Sequence, residues 1–150
     1  TANVAGKFAY TANGNAVTAT TVLPAGSYTM GVTFTPTASK DYTTATASVS
    51  LTVNPINTTT TITKASAASR TAPLALTVSF TVANGLGTKY ATGSVTVTAS
   101  SGETCTATLA SGKGSCVLTT AVAESGTLTA VYAGDSNNNG STSSAFSFTD

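Results

Sequence analysis

The chain has 150 residues, a net charge of +1 and only 7% charged side chains, against about a quarter in ordinary soluble domains. Disorder is excluded, since it needs high net charge and few β-branched residues, and no apolar run approaches the ~20 residues of a membrane-spanning helix. There is no histidine, so the commonest general base and metal ligand is missing, and the absence of a basic cluster removes the footprint of a nucleic-acid binder.

Threonine, serine, alanine and valine fill the space left by charge, and such a chain reads as β-sheet throughout. No secretory leader is visible at the start, which leaves a processed chain or a segment of a longer one. The first half predicts strands over Lys7–Ala12, Ala16–Val22, Ser27–Pro36 and Ala45–Val53. Tyr28, Met30, Val32 and Phe34 share one face, and so do Val49, Leu51 and Val53, because successive side chains of a strand point to opposite sides. Asn54-Pro55-Ile56-Asn57 is the expected boundary, since proline cannot continue a central strand.

The second half predicts strands over Thr58–Lys64 and Pro73–Ala83, the latter with Leu74, Leu76, Val78, Phe80 and Val82 in strict alternation. A glycine-rich loop, Asn84–Gly93, precedes a strand over Ser94–Ser100. TCTATLA and SCVLTT read as a hairpin across Ser111-Gly112-Lys113-Gly114. Gly126–Gly134 and Ser143–Thr149 complete the set.

One layout occurs twice. Ala25–Asn54 and Ser125–Thr149 each have a small-residue turn, a strand ending in an aromatic, a polar loop, a Ser/Thr/Ala tract and a closing alternating strand. Repetition on this scale points to a tandem array. The fold expected is all-β: two tandem immunoglobulin-like sandwiches, residues 1–54 incomplete and residues 55–150 complete, the latter with about seven short strands. The first lacks its opening strands. That leaves Val32, Phe34, Val49 and Leu51 as a face for strand addition. Either the missing strands lie upstream in a longer protein, or a neighbouring chain supplies one.

Thr58 to Asp150 resembles the bacterial Ig-like repeat domains of large secreted and cell-surface proteins. The matching pieces are TTTTIT, ATGSVTVT, CTATLASGKGSCVLTT and SGTLTAVYAGDSNNNGSTS. The first half, GKFAYTANGNAV followed by VLPAGSYTMGVTFTPTASKDYTTATASVSLTVN, is similar to the C-terminal part of a related repeat. The resemblance implies an extracellular structural or adhesive role. It carries over no catalytic residue.

Cys105 and Cys116 are the only cysteines. Flanking one hairpin turn, they are close enough for a disulfide, which implies an oxidising compartment. Two thiolates without histidine lack the other ligands of a metal site. Asp135 to Gly140 matches the first half of a calcium loop, D-x-N-x-N-G, but its twelfth position is Phe146 where a bidentate glutamate is needed. A polar turn is the plainer reading. Lys7 or Lys64 with Asn54 or Asn138 lacks the buried acid that an intramolecular amide crosslink requires. Asn57-Thr58-Thr59 and Asn139-Gly140-Ser141 fit the N-glycosylation pattern, which arises by chance in so polar a chain. Tyr90, in the glycine-rich loop, is the one candidate contact residue.

No serine sits in a G-x-S-x-G setting, and no carboxylates pair for acid–base work. The reading is a non-enzymatic, cofactor-free structural segment of an extracellular bacterial surface assembly, a stalk-like array or a filament subunit. Its expected partners are neighbouring copies or adjacent Ig-like domains, with neither nucleic-acid binding nor membrane insertion. The alternative is an adhesive module whose loops engage a glycan or a host protein.

Overall fold

The computed structural model describes residues 3–67, 74–86, 91–120 and 125–149. The described residues form antiparallel β-sheets and contain no helix. The chain divides into two compact units, Thr1–Asn54 and Pro55–Asp150.

The first unit is one sheet of β1 (Gly6–Ala12), β2 (Asn15–Val17), β3 (Gly26–Pro36) and β4 (Ala45–Val53), in the order β2-β1-β3-β4. Asn13 and Gly14, at φ of 48° and 81°, join β1 to β2 in the two-residue turn that suits strand twist. The predicted strand Ala16–Val22 is shorter than expected, ending at Val17. Thr21 Oγ1 accepts from the Thr18 amide at 2.9 Å, and the Thr21 amide donates back to the Thr18 carbonyl at 3.1 Å. This local turn takes the groups that a ladder would have used.

The second unit has two sheets. One contains β5 (Thr58–Ala67), β6 (Leu74–Asn84) and β9 (Lys113–Thr120), in the order β5-β6-β9. The other contains β7 (Ser94–Ala99), β8 (Thr104–Thr108), β10 (Gly126–Gly134) and β11 (Asn139–Thr142), in the order β11-β10-β7-β8. A last strand, β12 (Phe146–Phe148), also pairs with β10. The predicted final strand Ser143–Thr149 is thus shorter than expected, reduced to β12, and β11 precedes it. The break is at Ser143, whose Oγ accepts from the Ala130 amide at 3.0 Å, so side chain replaces backbone in the ladder.

Alternation explains the core. Leu74, Leu76, Val78, Phe80 and Val82 of β6 and Leu118 of β9 are buried, as are Val95 and Val97 of β7 and Leu128, Ala130 and Tyr132 of β10. Side chains from both sheets form one cluster. The largest fully buried members are Tyr132 and Phe80.

The hairpin expected around the cysteines is corrected. Ser111 and Gly112, at φ of 50° and 72°, do make a tight turn, closed by reciprocal bonds between Ala110 and Lys113. Beyond it the strands part: β8 pairs with β7, and β9 pairs with β6. Each completes the sheet it joins, β8 over five positions of β7 and β9 over eight of β6, so the chain crosses from one sheet to the other at the turn.

Candidate functional site

In the first unit, register decides what each face carries. Across β3, Phe34 opposes Phe8 and Ala45, Val32 opposes Tyr10 and Ala47, and Met30 opposes Ala12 and Val49; Tyr28 opposes Leu51. Directly opposed residues share a face, so these side chains form one apolar surface. The reverse face carries Thr29, Thr33, Thr46, Ser48, Ser50 and Thr52. Lys7, opposite Thr35, is also on that polar side.

The apolar surface is open. Among the described residues of this unit only Ala12 and Pro36 are buried. Val49 is 67% exposed, Tyr10 53%, Phe8 47% and Leu51 39%. Val32 and Phe34 are half-buried, with the Phe34 ring 4.9 Å from that of Phe8. Tyr10, Met30, Val32, Ala47 and Val49 border a groove of about 300 Å³.

The expected strand-addition residues are therefore of two kinds. Val32 and Phe34 lie on β3, which is hydrogen-bonded on both sides, whereas Val49 and Leu51 lie on the edge strand β4. All four present side chains to the face. Within this sheet β4 and β2 are the edge strands, and β2 covers only Tyr10, Thr11 and Ala12 of β1.

The second unit contains the same frame. Its order β8-β7-β10-β11 repeats β2-β1-β3-β4, edge hairpin first and closing hairpin last. Leu128, Ala130 and Tyr132 oppose Ala99, Val97 and Val95, as Met30, Val32 and Phe34 oppose Ala12, Tyr10 and Phe8. Those six side chains of the second unit are at most 4% exposed, because β6 and β9 contribute to the same core. The two sequence repeats fall on the equivalent hairpins, one covered and one bare.

The seams of the second unit are closed. Cys105 and Cys116 form a disulfide, S–S 2.02 Å and Cα–Cα 5.8 Å, between edge strands of different sheets. At the other seam Ser141 Oγ meets Thr60 Oγ1 at 2.7 Å and Thr58 Oγ1 at 2.8 Å.

The Asp135 turn is also a closing device. Asp135 Oδ1 accepts from the Asn137 amide at 2.8 Å and from Asn138 Nδ2 at 2.9 Å. Its Oδ2 accepts from the Thr92 amide at 2.9 Å and the Thr92 hydroxyl at 2.8 Å. Donors occupy the lone pairs that a cation would need. Ile56 clamps the turn, donating to Asn137 and accepting from Asn139, both at 2.8 Å. The two candidate glycosylation asparagines touch, Asn139 Nδ2 donating to Asn57 Oδ1 at 2.8 Å. Tyr90 lies outside the described residues, as do positions 87–89 of the glycine-rich loop.

Burial pushes the Asp135 carboxyl up, but the hydrogen bonds from Thr92, Asn137 and Asn138 outweigh it and hold the group well below the usual range. Burial first, then the neighbouring Asp135, pushes the Tyr132 hydroxyl up to about 12. That hydroxyl has no well-formed hydrogen bond among the described residues. A carboxyl lowered by folding adds stability above its unfolded value, near 3.9, and loses it as pH falls through the folded value. Thermal melting of the second unit should therefore fall steeply below about pH 4. Asp135→Asn should cost about 1–3 kcal/mol at neutral pH and flatten that acid limb. Melts followed by circular dichroism across pH check both; an unchanged acid limb would contradict the assignment.

Comparison with known proteins finds no matching family model, no matching curated protein and no matching solved structure.

Proposed function

We propose that this chain is a structural building segment of an extracellular bacterial surface assembly, formed of immunoglobulin-like sandwiches in series. The observation that carries this reading is the same four-stranded frame occurring twice, once covered and once with its apolar face open. A covered, stapled unit serves as a stiff spacer. An open apolar sheet face of this extent is a contact surface. The strand order β5-β6-β9 against β8-β7-β10-β11 supports the immunoglobulin-like reading, with β8 added to the sheet of the later strands. The disulfide supports an oxidising, extracellular setting.

The function is mechanical and needs no catalytic group. Ladders, the Cys105–Cys116 staple and the Thr–Ser seam resist opening. The low charge weakens repulsion between neighbours. The alternative, an adhesive module, places recognition on loops 84–93 and 135–140. The second of these is spent on internal hydrogen bonds, which favours the structural reading.

The test is binding of the purified chain to glycan and extracellular-matrix arrays, with electron microscopy of the same preparation. The structural reading expects no saturable binding through the loops. Saturable binding abolished by changes in 84–93 or 135–140 would replace it with the adhesive one. Hydrolytic turnover by the pure chain would overturn both.

A further inference from the structure

We infer that a second copy of this chain covers the apolar face of the first unit, sheet against sheet, in a closed two-fold dimer. The inference rests on reading that face as the assembly surface, and it names the partner.

The area suffices. With a rise of ~3.4 Å per residue and strands ~4.8 Å apart, the four strands give a face of roughly 500–600 Å². Two such faces bury on the order of 1,000–1,200 Å², the lower range of specific interfaces. The dimer should therefore form reversibly as concentration rises.

Charge permits it. Lys7 is the only Lys, Arg, Asp or Glu within β1–β4, and it belongs to the polar face. Two identical apolar faces meet with no like charges opposed. Tyr28 is already satisfied, donating to the Pro24 carbonyl at 2.8 Å. Tyr10 lies beside the short edge strand β2, where its hydroxyl can reach water.

Shape permits it too. Tyr10 and Val49 stand proud, and a groove of about 300 Å³ lies between them over Met30, Val32 and Ala47. One face thus carries both projection and socket, as an isologous contact requires. In the second unit the same frame is completed by an opposing sheet.

The choice of a second copy, and of closure over a filament, follows from what else the chain exposes. Among the described residues of the second unit the exposed large hydrophobics are Leu86, Val117 and Val131. Val117 is opposite Thr77, and Val131 is flanked by Thr96 and Thr142, so they form no patch. The apolar surface that complements the first unit's face is that face itself. Self-complementary contacts close at two and do not propagate.

The experiment is sedimentation velocity of the whole chain over a wide concentration range, with urea unfolding at low and high concentration. The inference expects passage from 14.7 kDa to twice that mass. It also expects the unfolding midpoint of the first unit to rise with concentration. Val49→Lys and Tyr10→Lys each put a charge on the face at a position more than half exposed in a single copy. Each should weaken the dimer roughly tenfold or more. Ser50→Lys puts the same charge on the reverse side of the same strand and should leave it unchanged. If Val49→Lys unfolds the first unit, the concentration dependence of the wild-type midpoint still decides. A monomer throughout, or a dimer indifferent to Val49→Lys and Tyr10→Lys, overturns the inference. The structural reading falls only to saturable loop binding or turnover, so the two failures are distinguishable.

Discussion

Phe80→Ala should destabilise the second unit by about 3–5 kcal/mol, the range for deleting a buried aromatic ring. Phe80 is 1% exposed in β6, the central strand of its sheet. Its ring fills the space left by Gly114 on β9: a Cβ there would fall 2.6 Å from the ring. Gly114 itself has no side chain to move into the hole, so the cavity term should be large. Against a typical total of ~5–15 kcal/mol, the loss leaves the unit marginal. Urea unfolding by circular dichroism should show the midpoint of the second unit falling sharply, with the first unit unaffected. A loss below about 1 kcal/mol would mean that the cluster around Phe80 is not the core.

Removing the disulfide ranks next. Replacing Cys105 and Cys116 together by alanine frees a loop of sequence separation 11, worth roughly 3 kcal/mol in the chain-entropy picture. Its position adds a structural consequence. The bond joins β8 to β9, edge strands of different sheets, so its loss opens a seam and not merely a hairpin. The double variant should melt lower than the wild type, and a reductant should bring the wild type down to the same value. Proteolysis of the reduced form should begin at residues 104–120 before it reaches β6 or β10. Identical melting with and without reductant would show that the bond contributes nothing to the folded state.

Much of the fold is legible in the residues. Strict alternation over β6 marks a strand buried on one face, and Tyr28, Met30, Val32 and Phe34 mark the apolar side of β3. Which face a side chain occupies depends on parity alone. Which strand pairs with which does not, and there the local signal misleads. The turn at Ser111-Gly112 is real, but a tight turn does not oblige its flanking strands to pair: β8 pairs with β7 and β9 with β6, so the chain changes sheet there.

The Asn13-Gly14 turn is a missed signal, since asparagine followed by glycine between alternating segments marks a tight hairpin. Asn139–Thr142, read as loop, is a strand. Its polar residues face Thr58, Thr60 and the Ile56 backbone across a seam, and sequence alone shows no hydrophobic pattern there. The apolar face of the first unit was legible residue by residue. That β1 extends it with Phe8 and Tyr10 follows only from the register with β3.

The measurement that tests the central claim most directly is amide hydrogen exchange at low and high protein concentration. Amides of β6, β7 and β10 should be strongly protected at both, since their core is complete within one chain. Protection of β1, β3 and β4 should be weak when the chain is dilute and should rise with concentration, as the open face is covered. Equal and strong protection of both units at every concentration would contradict the account, because the first sheet would then need no partner.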